Sequence, residues 1–327
     1  RESPYAALAE RGGEDPALEA AARRDIETFT LLAELDWDQV LAEVGGKAPR
    51  EYGPVLANLP RWRGSSPFSF AELTEFYRAN GAGLFARHRA FLWEDGALCP
   101  VEQPDCPGAD EMLGYELQRN RVIANTRAML EGNLVNNVLL YGDSGTGKSA
   151  TVKNLLTLPG FEALRLIEVQ KEGLADLPRL IRTLGGRRLK FILFIDDLAF
   201  DQDDKTYSAL KTILEGGLER RPANVAVYAT SNRRRLVRQT FSDRAGDEVD
   251  ASETIQEKTS LSDRFGLRIP YLALNQAEFL ELVEGMAEQA GIALDRDSLR
   301  AEAVKWEMRN PGRTPRTAKQ FIASLSL

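Results

Sequence analysis

Cysteine and histidine are scarce: 327 residues carry Cys99, Cys106 and one histidine, His88. Six residues separate the cysteines in Cys99-Pro-Val-Glu-Gln-Pro-Asp-Cys106. That spacing suits neither a C-x-x-C redox pair nor half of a zinc site, and no histidine lies near enough to complete one. Two reduced thiols in a loop are expected. His88 stands in Ala86-Arg87-His88-Arg89 with nothing beside it to pair as catalyst or ligand, and it reads as solvated surface. Long apolar runs are also missing. None approaches the ~20 residues of a membrane span, and no secretory signal pattern is legible. A cytoplasmic location without membrane contact is the expectation. A single-sign charge excess is lacking as well: the net charge is −7. Residues 1–110 hold 11 Lys and Arg against 19 Asp and Glu, and the remainder 31 against 30. Nonspecific nucleic-acid binding through overall charge is thereby disfavoured, although a local basic surface is not.

What is present is concentrated in the middle of the chain. Gly142-Asp143-Ser144-Gly145-Thr146-Gly147-Lys148-Ser149 fits G-x-x-x-x-G-K-[S/T]. The apolar run Val138-Leu139-Leu140-Tyr141 precedes it, and an amphipathic segment, 150–158, follows. Strand, glycine loop and helix are the context this motif requires. Glycines let backbone N–H groups turn inward around a polyphosphate, and the helix presents its positive dipole end to the same group. Lys148 then reaches the β- and γ-phosphates, and the Ser149 hydroxyl takes a coordination position on Mg²⁺. A nucleoside triphosphate is the implied ligand.

Residues 17–44 read as a helix stopped by Gly45-Gly46. Eight aromatics from Trp62 to Trp93, at helix-like spacings, read as the core of a small helical domain. The Pro- and Gly-bearing stretch 95–110 reads as a linker. Beyond it a helix over 115–130 and a turn over 133–137 lead into the strand before the phosphate loop. Strands at 164–169, 190–195 and 224–230 alternate with helices at 174–184 and 205–218, which implies a parallel sheet covered on both faces. From about residue 275 three helices are expected: one capped by Asn275 with Glu278, one beginning at Asp297 and one opened by Thr314-Pro315. The division is 1–110, mainly α-helical with the linker; 111–272, an α/β nucleotide-binding core; and 273–327, a helical lid.

Phe191-Ile-Leu-Phe-Ile195-Asp196-Asp197 reads as a buried strand with two carboxylates at its carboxyl end, where open α/β sheets bind ligands. Asp196 is the candidate for Mg²⁺, through water, and Asp197 for orienting or deprotonating an attacking water. The rival reading is two acids starting a loop. Asp203 and Asp204 read as a helix cap and solvated surface. A second such strand, Val225-Ala-Val-Tyr-Ala-Thr230-Ser231-Asn232, ends in polar groups. Asn232, preferred to Thr230, is placed to hydrogen-bond the water or the γ-phosphate. Arg316 follows Thr314-Pro315 and so lies in the first turn of a helix, where a cation opposes the dipole unless an anion is bound. Between Asn232 and Arg264 runs Arg233-Arg234-Arg235, then Arg238, then the acidic Asp247-Glu248-Val-Asp250. Contacts to phosphates compete here with the favoured reading, a loop whose charges serve subunit contacts or solvation.

Phosphate loop, paired acids and strand-end Asn recur in this order in AAA+ ATPases, as do Leu261-Ser-Asp-Arg264-Phe265-Gly266 and Gly312-Arg-Thr-Pro-Arg316. The stretch from about Glu111 to Leu327 closely resembles one bacterial AAA+ family, domain of unknown function 815. The resemblance implies a P-loop NTPase (AAA+) core with a parallel sheet, a C-terminal helical lid and an N-terminal mainly helical domain. It implies that Arg264 reaches into a neighbouring subunit's nucleotide and that Arg316 contacts the γ-phosphate in cis. By the same resemblance Gly114 and Tyr115, in Leu113-Gly114-Tyr115-Glu116, contribute to an adenine pocket. Two features depart from common AAA+ patterns. Asp197 stands where Glu is usual, one methylene shorter, which points to slow hydrolysis. Gln170-Lys171-Glu172-Gly173 lacks the aromatic-apolar-Gly element with which ring-shaped unfoldases grip polypeptide. The expected function is an ATP- and Mg²⁺-dependent ATPase in a homo-oligomer acting on a protein or nucleic-acid client. The alternatives are a nucleotide-gated, DNA-associated loader with slow hydrolysis and, from the phosphate loop alone, a small-molecule kinase.

Overall fold

The computed structural model describes residues 3–34, 36–47, 49–58, 69–199, 210–211, 213–214, 221–232, 261–310 and 312–325. Among them no helix is long and apolar enough to cross a membrane. The chain divides into two compact units, Arg1–Ala86 and Arg87–Leu327.

The first unit is helical: Pro4–Arg11, Pro16–Glu34, Trp37–Lys47, Gly53–Ala57 and Phe70–Asn80. Phe70 joins three of these helices, with the Tyr5 ring 5.1 Å away and the Arg23 guanidinium 3.8 Å above its ring centre. Ser69 and Glu72 form a reciprocal capping box at the start of the Phe70 helix. The single helix expected over 17–44 is two. Asp36 caps the second, its carboxylate accepting the N–H groups of Asp38 and Gln39 at 3.1 Å. Gly45 and Gly46 lie inside that helix and do not end it.

The second unit is built on strands β1 (Ala90–Glu94), β2 (Ala97–Pro100), β3 (Val138–Gly142), β4 (Leu164–Val169), β5 (Lys190–Ile195), β6 (Val225–Ser231) and β7 (Leu267–Tyr271). They form one sheet in the order β2-β1-β4-β5-β6-β3-β7. Every pairing is parallel except the β1–β2 hairpin. The central strands are continuous apolar runs because both of their faces are covered, and every residue of β6 is buried. Alternate residues, among them Leu140, Ile192, Phe194 and Ala226, share one core cluster with Val122 and Met129 of helix Glu116–Leu130 and with Val152 of helix Lys148–Asn154.

The hairpin corrects the reading of this region. Phe91 and Trp93 belong to a strand and not to a helical core, and the stretch read as a linker begins as β2. Residues 90–100 therefore join the sheet of the nucleotide-binding core. Asp95 and Gly96 make the turn with φ of 50° and 73°, the left-handed geometry of a two-residue hairpin loop. Strand β7 is the far edge, where Pro270 removes no hydrogen bond that a neighbour needs. The helix expected over 205–218 lies almost wholly outside the described residues; 210, 211, 213 and 214 are helical. Asp203 and Asp204, and the run from Arg233 to Asp250, lie outside them too.

Helices Gln276–Gln289, Arg296–Arg309 and Pro315–Leu325 close the chain around Phe279, Val283, Leu299, Ala303, Ala318 and Phe321. The Asn275–Glu278 capping box is present. The second helix is capped by Asp295, whose carboxylate accepts Ser298 N–H at 3.0 Å, and not by Asp297.

Asn137, buried before β3, fastens the sheet. Its side-chain oxygen accepts the Val227 N–H at 3.0 Å, and its carbonyl accepts Leu267 N–H at 3.1 Å. Asn137→Ala removes the side-chain acceptor and leaves a buried N–H unpaired. Urea denaturation should show a loss of about 1–3 kcal/mol.

Candidate functional site

The phosphate loop leaves β3 through Gly142, with φ of 139°. A Cβ at Gly142 would lie 2.1 Å from the Tyr271 carbonyl oxygen of neighbouring β7, so only glycine fits between the strands. Gly147, with φ of 90°, is the N-cap of helix Lys148–Asn154. No Gly147 side chain exists to cap that end, and its orphan N–H groups remain for a ligand.

Lys148 is only 6% exposed. Its ammonium donates to the carbonyls of Gly142 at 3.2 Å and Asp143 at 2.7 Å and to Asn232 Oδ1 at 2.9 Å. Burial lowers its pKa, against the opposing pull of Asp143, Asp197 and Asp196. Asn232 passes the connection on, its Nδ2 donating to Asp197 Oδ1 at 2.8 Å. The end of β6 thus bridges the lysine and the second acid.

A second chain of hydrogen bonds runs alongside. Ser149 Oγ donates to Asp196 Oδ1 at 2.6 Å, and Thr230 Oγ1 donates to the same oxygen at 2.5 Å. The Thr230 hydroxyl also accepts the Asp197 N–H at 2.9 Å. Thr230, set aside in favour of Asn232 on sequence grounds, is therefore the group that locates both acids. Asp197 has φ of 50°, a left-handed conformation that Asp tolerates better than longer side chains do. The departure from Glu coincides with this backbone geometry.

Ser144, Gly145, Thr146, Gly147, Lys148, Ser149, Asp196, Asp197, Asn232, Gly114, Tyr115 and Arg316 line one cleft of about 540 Å³. Its size and its few convergent polar groups are those of a small-molecule site. Arg316 reaches the loop from the lid: its N–H donates to Gly145 O at 3.2 Å and its Nη1 to Ser144 Oγ at 3.3 Å. Tyr115 stacks on Tyr271 at 5.1 Å, and its hydroxyl donates to Leu272 O at 2.6 Å. Burial raises both phenols, Tyr271 to about 12.

Three site candidates are not cleft walls. Gly142 and Asp143 lie behind the loop, where the Asp143 carboxylate accepts Ala273 N–H at 2.7 Å in the connection to the lid. Arg264 is exposed at the turn before β7, away from its own chain's cleft. The neighbouring Asp263 bonds Arg268 at 2.6 Å. Met286 and Lys319 of the lid also line the cleft. Their positions on an ordinary amphipathic pattern carry no sign of this in sequence.

Among the described residues no three His, Cys, Asp or Glu side chains converge as a metal cage. One hydroxyl and one carboxylate, Ser149 and Asp196, suit instead the sparse protein ligation of a Mg²⁺ that leans on phosphate oxygens. The glycine loop, the buried lysine and the uncapped helix suit the phosphates themselves.

A largely parallel sheet with this loop and these strand ends, closed by helices Gln276–Gln289, Arg296–Arg309 and Pro315–Leu325, has the form of a P-loop nucleotide-binding fold. The chain belongs to the family described as Protein of unknown function (DUF815), whose model matches residues 86–326. No curated protein matches it in sequence. Among solved structures it is similar to the Thermotoga maritima RuvB Holliday junction branch migration motor, at 17% identity and a TM-score of 0.42, over 67% of this chain and 63% of that one. It is likewise similar to a point mutant of the same RuvB, at 16% identity and a TM-score of 0.43, over 67% of this chain and 64% of that chain. The match thus spans less than two thirds of the length of either solved structure.

Thr230→Val keeps shape and deletes the hydroxyl, leaving the Asp197 N–H only its longer bond to Asp196 Oδ1 at 3.2 Å. Thermal or urea unfolding should register a loss of about 1–2 kcal/mol, and Thr230→Ser should restore most of it.

Proposed function

We propose that this protein binds ATP with Mg²⁺ and hydrolyses it within a homo-oligomer, coupling its nucleotide state to a client. The observation that carries the reading is the bridge Lys148–Asn232–Asp197, which puts a phosphate-binding cation and a carboxylate base on one hydrogen-bonded line.

The glycine loop and Lys148 would hold the β- and γ-phosphates, the ammonium exchanging its loop carbonyls for phosphate oxygens. Ser149 and Asp196 would hold Mg²⁺. The ion, when bound, supplies neutralisation of phosphate charge. Asp197 orients the attacking water and takes its proton, and Asn232 fixes the pair through its amide. Arg316, already against the loop, senses the γ-phosphate from the lid. Gly114 and Tyr115 serve the base. Arg264, exposed and remote from its own cleft, completes the site of an adjoining copy. The functional parts on this reading are the helical N-terminal part, the α/β core and the lid over 273–327. The arginine-rich segment behind the DNA-loader alternative lies outside the described residues.

Two outcomes test this. Asp197→Asn should bind ATP undiminished and turn it over about a hundredfold more slowly; equal turnover would remove Asp197 as base. Arg264→Ala should keep ATP affinity but lose about a thousandfold in turnover. Wild-type turnover per copy should also climb with protein concentration. A solitary copy that hydrolyses at the full rate contradicts the shared site.

A further inference from the structure

The turn that carries Arg264 is packed against the segment 133–137 that leads into β3. Within the turn, the Arg264 N–H donates to Leu261 O at 3.2 Å and the Phe265 N–H to Ser262 O at 3.3 Å. Phe265 is only 2% exposed, so the residue after the arginine is fixed in the core while Arg264 itself stays at the surface. Gly266 then passes against the side chain of Asn136. A Cβ at Gly266 would lie 2.2 Å from Asn136 Oδ1, 2.7 Å from its Cγ and 3.1 Å from its Cβ. Gly266 has no positive φ, so this neighbour, and not the backbone conformation, is what excludes a side chain there.

Asn136 is itself held from behind. The Asn125 side chain, on helix Glu116–Leu130, spans its two peptide groups: Nδ2 donates to Asn136 O at 3.0 Å, and Oδ1 accepts the Asn136 N–H at 3.3 Å. The same Nδ2 donates to the hydroxyl of buried Tyr228, on β6, at 2.9 Å. Next along the chain, Asn137 Oδ1 accepts the Val227 N–H at 3.0 Å, and Asn137 O accepts the Leu267 N–H at 3.1 Å. Arg221 donates to Asn137 Oδ1 and, at 2.7 Å, to Val135 O. Residues 135–137 are therefore tied to a helix, to β6 and to Arg221, and Gly266 and Leu267 rest on them. A wall fixed from three sides cannot follow the Arg264 turn if that turn shifts.

None of Asn125, Asn136 and Gly266 lines the chain's own cleft. Their common product is a rigid base for the arginine. An error of about 1 Å in placing a catalytic group can cost roughly a hundredfold in rate, so such a base matters most for a side chain that must reach another copy. We propose that Asn136, clamped by Asn125, is a positioning residue for Arg264, setting the turn from which the guanidinium reaches the nucleotide of an adjoining copy. The role rests on the shared-site reading of Arg264. Asn136 acts by shape, since among the described residues its side chain makes no hydrogen bond.

The test measures ATP turnover and ATP affinity of the full chain. Asn136→Ala removes the wall and should lower turnover about tenfold with affinity unchanged, whereas Asn136→Leu, which keeps the branched shape, should retain it. Gly266→Ala should show the same loss, and Asn136→Ala, harmful alone, should relieve it in the double variant. Gly266→Ala subunits keep an intact cleft, and Asp197→Asn subunits keep an intact Arg264 turn. Mixed, the two should exceed the sum of their separate turnovers, as Arg264→Ala mixed with Asp197→Asn should. Unchanged turnover in Asn136→Ala and Gly266→Ala, beside a depleted Arg264→Ala, overturns the proposal and leaves the shared site standing. So does a loss that mixing fails to restore while Arg264→Ala is restored, because the damage then lies in the variant's own cleft. Full turnover by Arg264→Ala removes the shared-site reading and the proposal with it. If Gly266→Ala fails to fold, Asn136→Ala and Asn136→Leu decide in the same mixing assay, at an exposed position.

Discussion

A buried ammonium has to be surrounded by acceptors, and the acceptors found by Lys148 set the geometry of everything near it. Two are carbonyls of its own loop, and the third is Asn232 at the end of a strand adjacent to β3. Because β6 sits between β3 and β5, Asn232 reaches the lysine on one side and Asp197 on the other. A different strand order would part these groups by at least one ~4.8 Å spacing. The sheet topology is thus part of the chemistry.

The same crowding explains local choices. Gly142 and Gly145 are glycine because other chain lies against them, the Tyr271 carbonyl in one case and the Arg316 side chain in the other. Loop, edge strand and lid helix meet there, so loop shape and lid position are mechanically linked. Asp143 adds to this through the backbone N–H of Ala273. An acid inside the phosphate-loop motif serves, in this conformation, as a strut to the lid. On the proposed reading, that link is how a change at the phosphates would be felt by the lid.

The β1–β2 hairpin is the feature that most changes the picture drawn from composition. Its residues look like the tail of an aromatic helical stretch followed by a proline-bearing linker. The sheet nevertheless recruits them, covering the β4 edge that would otherwise be open. The signal was there in Glu94-Asp95-Gly96, an Asp-Gly pair between short apolar runs, but helical periodicity and proline content outweighed it. The pairing also brings Trp93 to the turn after β4.

Local pattern alone determined a good deal: the phosphate loop with its flanking strand and helix, the buried strands ending in Asp196-Asp197 and Asn232, and the lid helices opened by Asn275 and Pro315. Each depends on residues a few positions apart, where backbone stereochemistry and side-chain period act directly. Tertiary structure decided what no short window contains. It gave β1, β2 and β7 their neighbours, made Thr230 the anchor of both acids, turned Asp143 toward the lid, and held Arg264 away from its own cleft. Those outcomes rest on contacts between residues tens to over a hundred positions apart, such as Thr230 with Asp196 and Asp143 with Ala273. Which of many polar strand-end groups meet is settled by strand order and packing, and neither is written in the order of residues along one segment.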